Sequence, residues 1–168
     1  MSPRIAWALI LLGDGQAVDW IDSSEAYRLR KRLERLADDA EPEVLLRSWL
    51  ASRADRLMLS ASEPEGLRAD PRLALSGLSD ERSGMSAGGE VEGYVGADDV
   101  EAVRREHLLI EAGSGANAVL HVAPLRPAVP VPLLLLAADL AEHDGPRELA
   151  RARELIGRWS YERTGGVA

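Results

Sequence analysis

The densest group of side chains that could do chemistry is a row of cations between residues 28 and 35. They recur every three or four positions, so on a helix they form one outward ridge: Arg28, Lys31, Arg32 and Arg35. Such a ridge can contact the phosphates of a nucleic acid. A solvated helix face, partly paired with Glu25, Glu34 and Asp38, is the other interpretation.

Residues 1–60 also predict the order helix, helix, helix, strand, which resembles the start of a winged helix. In that fold the third helix enters the major groove, and here it would present Arg47, Ser48, Ser52 and Arg53. The link over residues 38–43 carries four acidic side chains, which are poorly placed beside DNA. DNA binding through Arg28, Lys31, Arg32, Arg35, Arg47 and Arg53 is therefore kept as an alternative hypothesis.

A second candidate joins Ser76-Gly77 to Glu90 and Glu92. Nucleotidyltransferases place a Gly-Ser turn near the phosphates and, further on, two carboxylates on one strand face for divalent metals. Alternation puts Glu90 and Glu92 on the same side of a strand, as two-metal chemistry needs. The turn order is reversed here, a second glycine is lacking, and Glu111 is the sole candidate for a third ligand. A solvent-facing pair on an edge strand explains the two residues more simply.

The remaining polar residues suggest no catalyst. His107, His121 and His143 do not have the spacing of metal ligands, and His121 lies in an apolar strand, where we expect it to be packed or hydrogen-bonded. The chain has no cysteine, which excludes thiol catalysis, disulfides and thiolate zinc sites. We therefore predict a protein that is not an enzyme, with no catalytic residue, no metal and no cofactor.

Composition and charge indicate one domain of ordinary size or a helical module joined to one. The chain has 168 residues, is 46% hydrophobic and carries a net charge of −8. Residues 1–60 have nine basic and ten acidic side chains, whereas residues 61–168 have eleven and eighteen. This acidic part argues against general binding to nucleic acid or anionic membranes, and it suits a basic partner.

The hydrophobic pattern predicts an α+β fold: a three-helix N-terminal module over residues 1–60, then residues 61–168 with a small mixed sheet and a C-terminal helix pair. Two apolar runs separated by residues 113–117 predict a hairpin. The predicted helices span about residues 3–12, 23–38, 43–50, 99–106, 132–142 and 146–161, and the predicted strands about 56–60, 72–76, 90–95, 108–112 and 118–122.

Neither apolar segment of the chain predicts a membrane signal. Residues 6–12 end at Gly13-Asp14-Gly15 with no cleavage site after them, and residues 131–138 are too few for a span. The second run is predicted to be a buried helix. We therefore expect a cytoplasmic protein with no membrane partner.

Several short motifs, taken in order, resemble a known family. They are Asp70-Pro71-Arg72-Leu73-Ala74-Leu75-Ser76-Gly77, then residues 91–100, Asn117-Ala118-Val119-Leu120-His121-Val122, residues 131–141, and Gly145-Pro146-Arg147-Glu148. Their order and spacing over about residues 55–160 are similar to the C-terminal domain of AbiEi-like antitoxins and transcriptional regulators of type IV toxin–antitoxin systems, a group widespread in actinobacteria.

The resemblance implies a non-enzymatic antitoxin or defence-system accessory. Members of that family counteract a nucleotidyltransferase-like toxin of the AbiEii type, and many carry an N-terminal winged helix that represses their own operon. A full winged helix is not identifiable in residues 1–60. The leading expectation is thus a cognate toxin as partner. The alternatives are a DNA-binding regulator acting on its own operator and a degenerate nucleotidyltransferase.

Overall fold

The computed structural model describes residues 1–124 and 126–165. It confirms the predicted α+β class, with seven α-helices and five strands in the described part of the chain. The helices are α1 (Pro3–Gly13), α2 (Ser23–Asp38), α3 (Pro42–Leu50), α4 (Pro64–Arg68), α5 (Val100–Glu106), α6 (Leu133–Glu142) and α7 (Pro146–Arg163). The strands are β1 (Asp55–Ser60), β2 (Ala74–Leu75), β3 (Val91–Gly96), β4 (Ile110–Glu111) and β5 (Ala118–Ala123).

The chain divides into two compact units. One unit is Met1–Arg53 together with Pro132–Ala168, and the other is Ala54–Val131. This division differs from the predicted boundary after residue 60, because the C-terminal helices contact the N-terminal helices rather than forming part of the domain with the sheet.

The helical unit is held by apolar stripes that the sequence displays. The side chain of Ser2 accepts a hydrogen bond from the Ile5 amide at the start of α1, and α2 begins with a capping box between Asp22 and Glu25. The buried stripe of α2 is Leu29, Leu33 and Leu36. Residues 134–141 of α6 are all buried, which confirms the prediction of a buried helix.

The sheet unit has the strand order β2-β3-β5-β1-β4. β3 and β5 run parallel, and the other neighbouring pairs are antiparallel. One face packs against α4 and α5 through a core that includes Leu59, Leu67, Val91, Val103 and Leu120. The sheet is therefore mixed, as predicted.

The predicted hairpin of residues 108–112 with residues 118–122 is wrong. β4 and β5 both pair with β1, which lies between them, so the glycine-rich segment after β4 crosses over β1 instead of making a tight turn. β1 also forms no hairpin with β2, the next strand in sequence. A wing that follows the third helix as a contiguous hairpin is absent from this sheet.

Candidate functional site

The exposed face of α2 is the first candidate site. Arg28, Lys31, Arg32 and Arg35 are all exposed, as the helical spacing predicts. The Lys31 Nζ lies 2.7 Å from Glu34 Oε2, and this hydrogen bond raises the pKa of Lys31. Arg28 Nε donates to the Ser24 carbonyl at 3.3 Å. Within the described residues, the Arg35 guanidinium has no acidic partner, so it is available to an anion.

Aromatic rings lie among these cations. Tyr27 is 61% exposed, and the Lys31 Nζ is 5.9 Å from the centroid of its ring. The Arg32 guanidinium lies 5.7 Å from the ring of Trp49, a half-buried residue of α3. Both distances are within the range of cation–π contact. We call this group the α2 basic surface, defined by Tyr27, Arg28, Lys31, Arg32, Arg35 and Trp49.

Two predicted DNA-binding residues belong elsewhere. Arg53 is buried, with ion pairs to Asp139 and, at 2.6 Å, to Glu142, so it cannot contact DNA. Arg47 donates to the Ala141 carbonyl at 3.1 Å and to Asp144 at 2.5 Å. Arg47 therefore links α3 to the end of α6 and to Asp144, while Arg53, which follows α3, links the chain to α6. The buried Arg53 guanidinium needs such carboxylate partners.

The carboxylate pair proposed for metal chemistry is separated. Glu90 precedes β3 and is exposed, whereas Glu92 lies within β3 and is 2% exposed. β3 lies between β2 and β5, so the expected solvent-facing pair on an edge strand is also wrong. A metal ion could not reach both carboxylates on one open face.

Glu92 instead forms a buried polar group with His121. The Nε2 of His121 lies 2.9 Å from Glu92 Oε1, and the imidazole stacks on Tyr94 with ring centroids 4.8 Å apart. The Leu78 amide donates to Glu92 Oε2 at 3.3 Å. The prediction that His121 is packed or hydrogen-bonded is confirmed. Glu92 and His121 can both be buried because each forms a hydrogen bond with the other.

A second carboxylate–histidine group was missed from the sequence. Asp70 is almost fully buried and accepts hydrogen bonds from Arg72 at 2.6 Å and from His107 Nε2 at 2.7 Å. Arg72 also donates to Glu106 at 2.5 Å. The Arg72 guanidinium holds the pKa of Asp70 well below its usual value. The Asp-Pro-Arg sequence carried a signal, since an Asp often bonds the backbone two residues on.

An apolar patch at the sheet edge was also missed. Met58, Leu108 and Ile110 are 37%, 72% and 70% exposed. The register places Ile110 opposite Ser60, so Ile110 and Met58 share one face of the sheet. We call these three residues the apolar edge. The exposure of these residues depends on which strand forms the edge of the sheet. The hydrophobic pattern of the sequence does not show which strand that is.

In the described part of the chain, no helix has the length and hydropathy needed to cross a membrane.

These features define a mixed α+β protein with an exposed basic helix face and an apolar sheet edge. Comparisons of the chain with protein-family models, with curated proteins and with solved structures find no match.

Proposed function

We propose that this chain is a non-enzymatic antitoxin or defence-system accessory that counteracts a nucleotidyltransferase-like toxin by direct contact. The resemblance of residues 55–160 to AbiEi-like antitoxins motivates the class of partner. The apolar edge is the observation that carries the proposal of contact. It lies in the sheet unit, which contains most of that resemblance.

The apolar edge can bind an extended segment of a partner. In the described part of the chain, β4 pairs only with Leu59 and Ser60, so the start of β1 has no neighbouring strand there on that side. The Met58 carbonyl accepts from Ala112 on this side, and alternation directs the backbone groups of Arg56 the same way. Exposed strand edges of this kind recruit another strand, and apolar side chains beside them add buried area.

The charge of the sheet unit suits a basic partner. Residues 54–131 contain seven basic and thirteen acidic side chains, a net charge of −6, against −2 for the helical unit. Glu111, the residue after Ile110 in β4, is exposed. A toxin that binds nucleotides has a cationic channel, and opposite charge accelerates its association with this unit.

The separation of Glu90 from Glu92 also supports a binding role. Two-metal nucleotidyl transfer needs carboxylates that hold cations at one open site. Glu92 is bonded to His121 and the Leu78 amide, while Glu90 is exposed on the preceding loop. The alternative of a degenerate nucleotidyltransferase therefore has no support from this pair.

The test is co-expression with the product of the adjacent gene, followed by a pull-down and a growth-rescue assay. We expect the wild-type chain to retain a nucleotidyltransferase-like neighbour and to restore growth. Ile110→Asp should abolish both effects, because a carboxylate cannot be buried unpaired at an apolar contact. The protein encoded by the adjacent gene is the binding partner used in every assay.

Val129→Asp is the matched control, since Val129 is a 65% exposed aliphatic residue of the same unit outside the apolar edge. It should bind and rescue like the wild type. Equal loss in both variants, or rescue by Ile110→Asp, would disprove contact through the apolar edge. An adjacent nucleotidyltransferase that the wild-type chain neither binds nor neutralises would reject the antitoxin function itself.

A further inference from the structure

We propose that the α2 basic surface binds single-stranded nucleic acid, with its cations on the phosphates and Tyr27 stacked on a base. This inference is independent of the antitoxin proposal, because it uses a helix of the other compact unit. It would give the chain a second binding activity.

The cations form a short track for phosphates. Tyr27 and Arg35 are eight positions apart, so the surface extends about 12 Å along the helix. Arg28 and Arg35 are exposed, and neither forms an ion pair among the described residues. Lys31 is partly neutralised by Glu34, at 2.7 Å. The surface therefore offers three arginines and one weaker contact.

The aromatic rings are what distinguish this surface from an ordinary solvated helix. A tyrosine that is 61% exposed beside a lysine has a ring face on which a base can stack. Trp49 is already covered by Arg32, which orients that guanidinium towards the same surface. Alternating cations and rings are typical of sites that bind single strands without strong sequence preference.

The structure favours a single strand over duplex DNA. Reading a major groove requires a helix that presents several free polar side chains to base edges. Arg47 of α3 is held by Asp144, and Arg53, which follows α3, is buried with Asp139 and Glu142. A duplex also hides the base faces that Tyr27 would stack on. The surface thus fits phosphates and unpaired bases.

The probe is a fluorescein-labelled oligo(dT) of about 20 nucleotides, long enough for the site. Fluorescence anisotropy on the full chain should give a Kd of about 10⁻⁶ to 10⁻⁴ M near physiological salt. Because each phosphate contact to a single strand contributes about −0.7 to the slope of log Kobs against log salt, three contacts predict a slope near −2. A duplex of the same length should bind more weakly.

Variants separate the two kinds of contact. Tyr27→Ala should weaken binding about fivefold or more through lost stacking, while Tyr27→Phe retains the ring and should bind like the wild type. Arg35→Ala should make the salt slope about 0.7 less steep. Arg30→Ala is the control, since Arg30 is exposed on the same helix but points away from the ridge.

All four substitutions are at exposed positions, and an unchanged thermal melting curve would show that the fold is retained. Several results would overturn the inference. They are the absence of oligo(dT) binding at about 50 mM salt, tighter binding to the duplex, equal losses in Arg30→Ala and Arg35→Ala, and no effect of Tyr27→Ala.

Discussion

At the scale of single residues, Asp70 is a nearly buried carboxylate of the sheet unit that several donors stabilise in its charged form. Its two oxygens accept from the Arg72 backbone amide at 2.9 Å, from the Arg72 guanidinium, and from His107 at 2.7 Å. A carboxylate that loses water on burial needs such donors to stay ionised. The Arg72 contacts dominate, and they hold the pKa of Asp70 well below its usual value.

This depressed pKa makes part of the stability dependent on pH. The unfolded chain binds a proton at Asp70 near pH 3.9, whereas the folded chain does so only at lower pH. The contribution of Asp70 is therefore complete above about pH 4 and is lost as pH falls through the folded value. Asp70→Asn should lower the free energy of unfolding by about 1.5 to 3 kcal/mol at pH 7.

Denaturant titrations at neutral pH and near pH 2.5 measure the difference between the wild type and Asp70→Asn, which should shrink at the acidic end. Glu65→Gln is the control, because Glu65 is 79% exposed and lies 3.6 Å from Arg68. Its effect should stay within about 0.5 kcal/mol. A deficit of Asp70→Asn that is equal at both pH values would contradict this account.

At the scale of elements, the turn formed by Gly77–Ser79 packs directly against β3. The Ser76 amide donates to the Glu92 carbonyl at 3.0 Å, and Gly77 has a φ of +53°, in the left-handed region. A Cβ added at Gly77 would lie 1.8 Å from Glu92 Oε2. The turn thus needs glycine both for its backbone and for the space that the buried carboxylate occupies.

Gly77→Ala should therefore lower the free energy of unfolding by about 3 kcal/mol or more, because backbone strain adds to displacement of Glu92 from His121. Gly88→Ala supplies the comparison. Gly88 also has a positive φ, +58°, but a Cβ there meets nothing within 4 Å. That variant should lose only about 1 kcal/mol from strain. Equal losses in urea denaturation would show that Glu92 is not the cause.

The elements also show how far the sequence could predict this structure. The starts of α2 and α7 follow from local signals, since capping residues and proline at the first turn act within a few positions. Strand pairing does not follow, because β4 finds its partner β1 across about fifty residues. The alternation of hydrophobic and polar residues locates a strand but does not specify which strand pairs with it.

The same limit applies to the candidate sites. The exposed ridge of Arg28, Lys31, Arg32 and Arg35 was predictable, because a single helix positions all four. The burial of Arg53 and the partner of Glu92 were not, since each depends on a residue distant in sequence. From residue type alone, Arg53 resembles a DNA contact and Glu92 resembles a metal ligand.

At the scale of the whole molecule, the helical unit is made from two separate stretches of chain. Their contacts are specific and partly buried. Glu43 is 4% exposed and accepts from Arg153 at 2.6 and 2.9 Å, and the Trp159 indole donates to the Gly13 carbonyl at 2.8 Å. Arg53 forms ion pairs with Asp139 and Glu142, which both belong to α6. Helices α1 to α3 therefore lack essential neighbours when isolated.

Three fragments test whether the helical unit needs both stretches of chain. A fragment of residues 1–60 should show weak helicity and no cooperative melting transition, because the buried Arg53 guanidinium would lack its carboxylate partners, at a cost of about 3 to 5 kcal/mol. Joining residue 53 to residue 132 through a flexible Gly/Ser linker restores α6 and α7, and this fragment should melt cooperatively. Residues 54–131 contain the complete sheet and its core, and they should fold alone. Circular dichroism and amide hydrogen exchange distinguish these outcomes. A cooperative transition in residues 1–60 would show that α1 to α3 bury enough apolar surface without α6 and α7. That result would support the domain boundary after residue 60 that the sequence predicts.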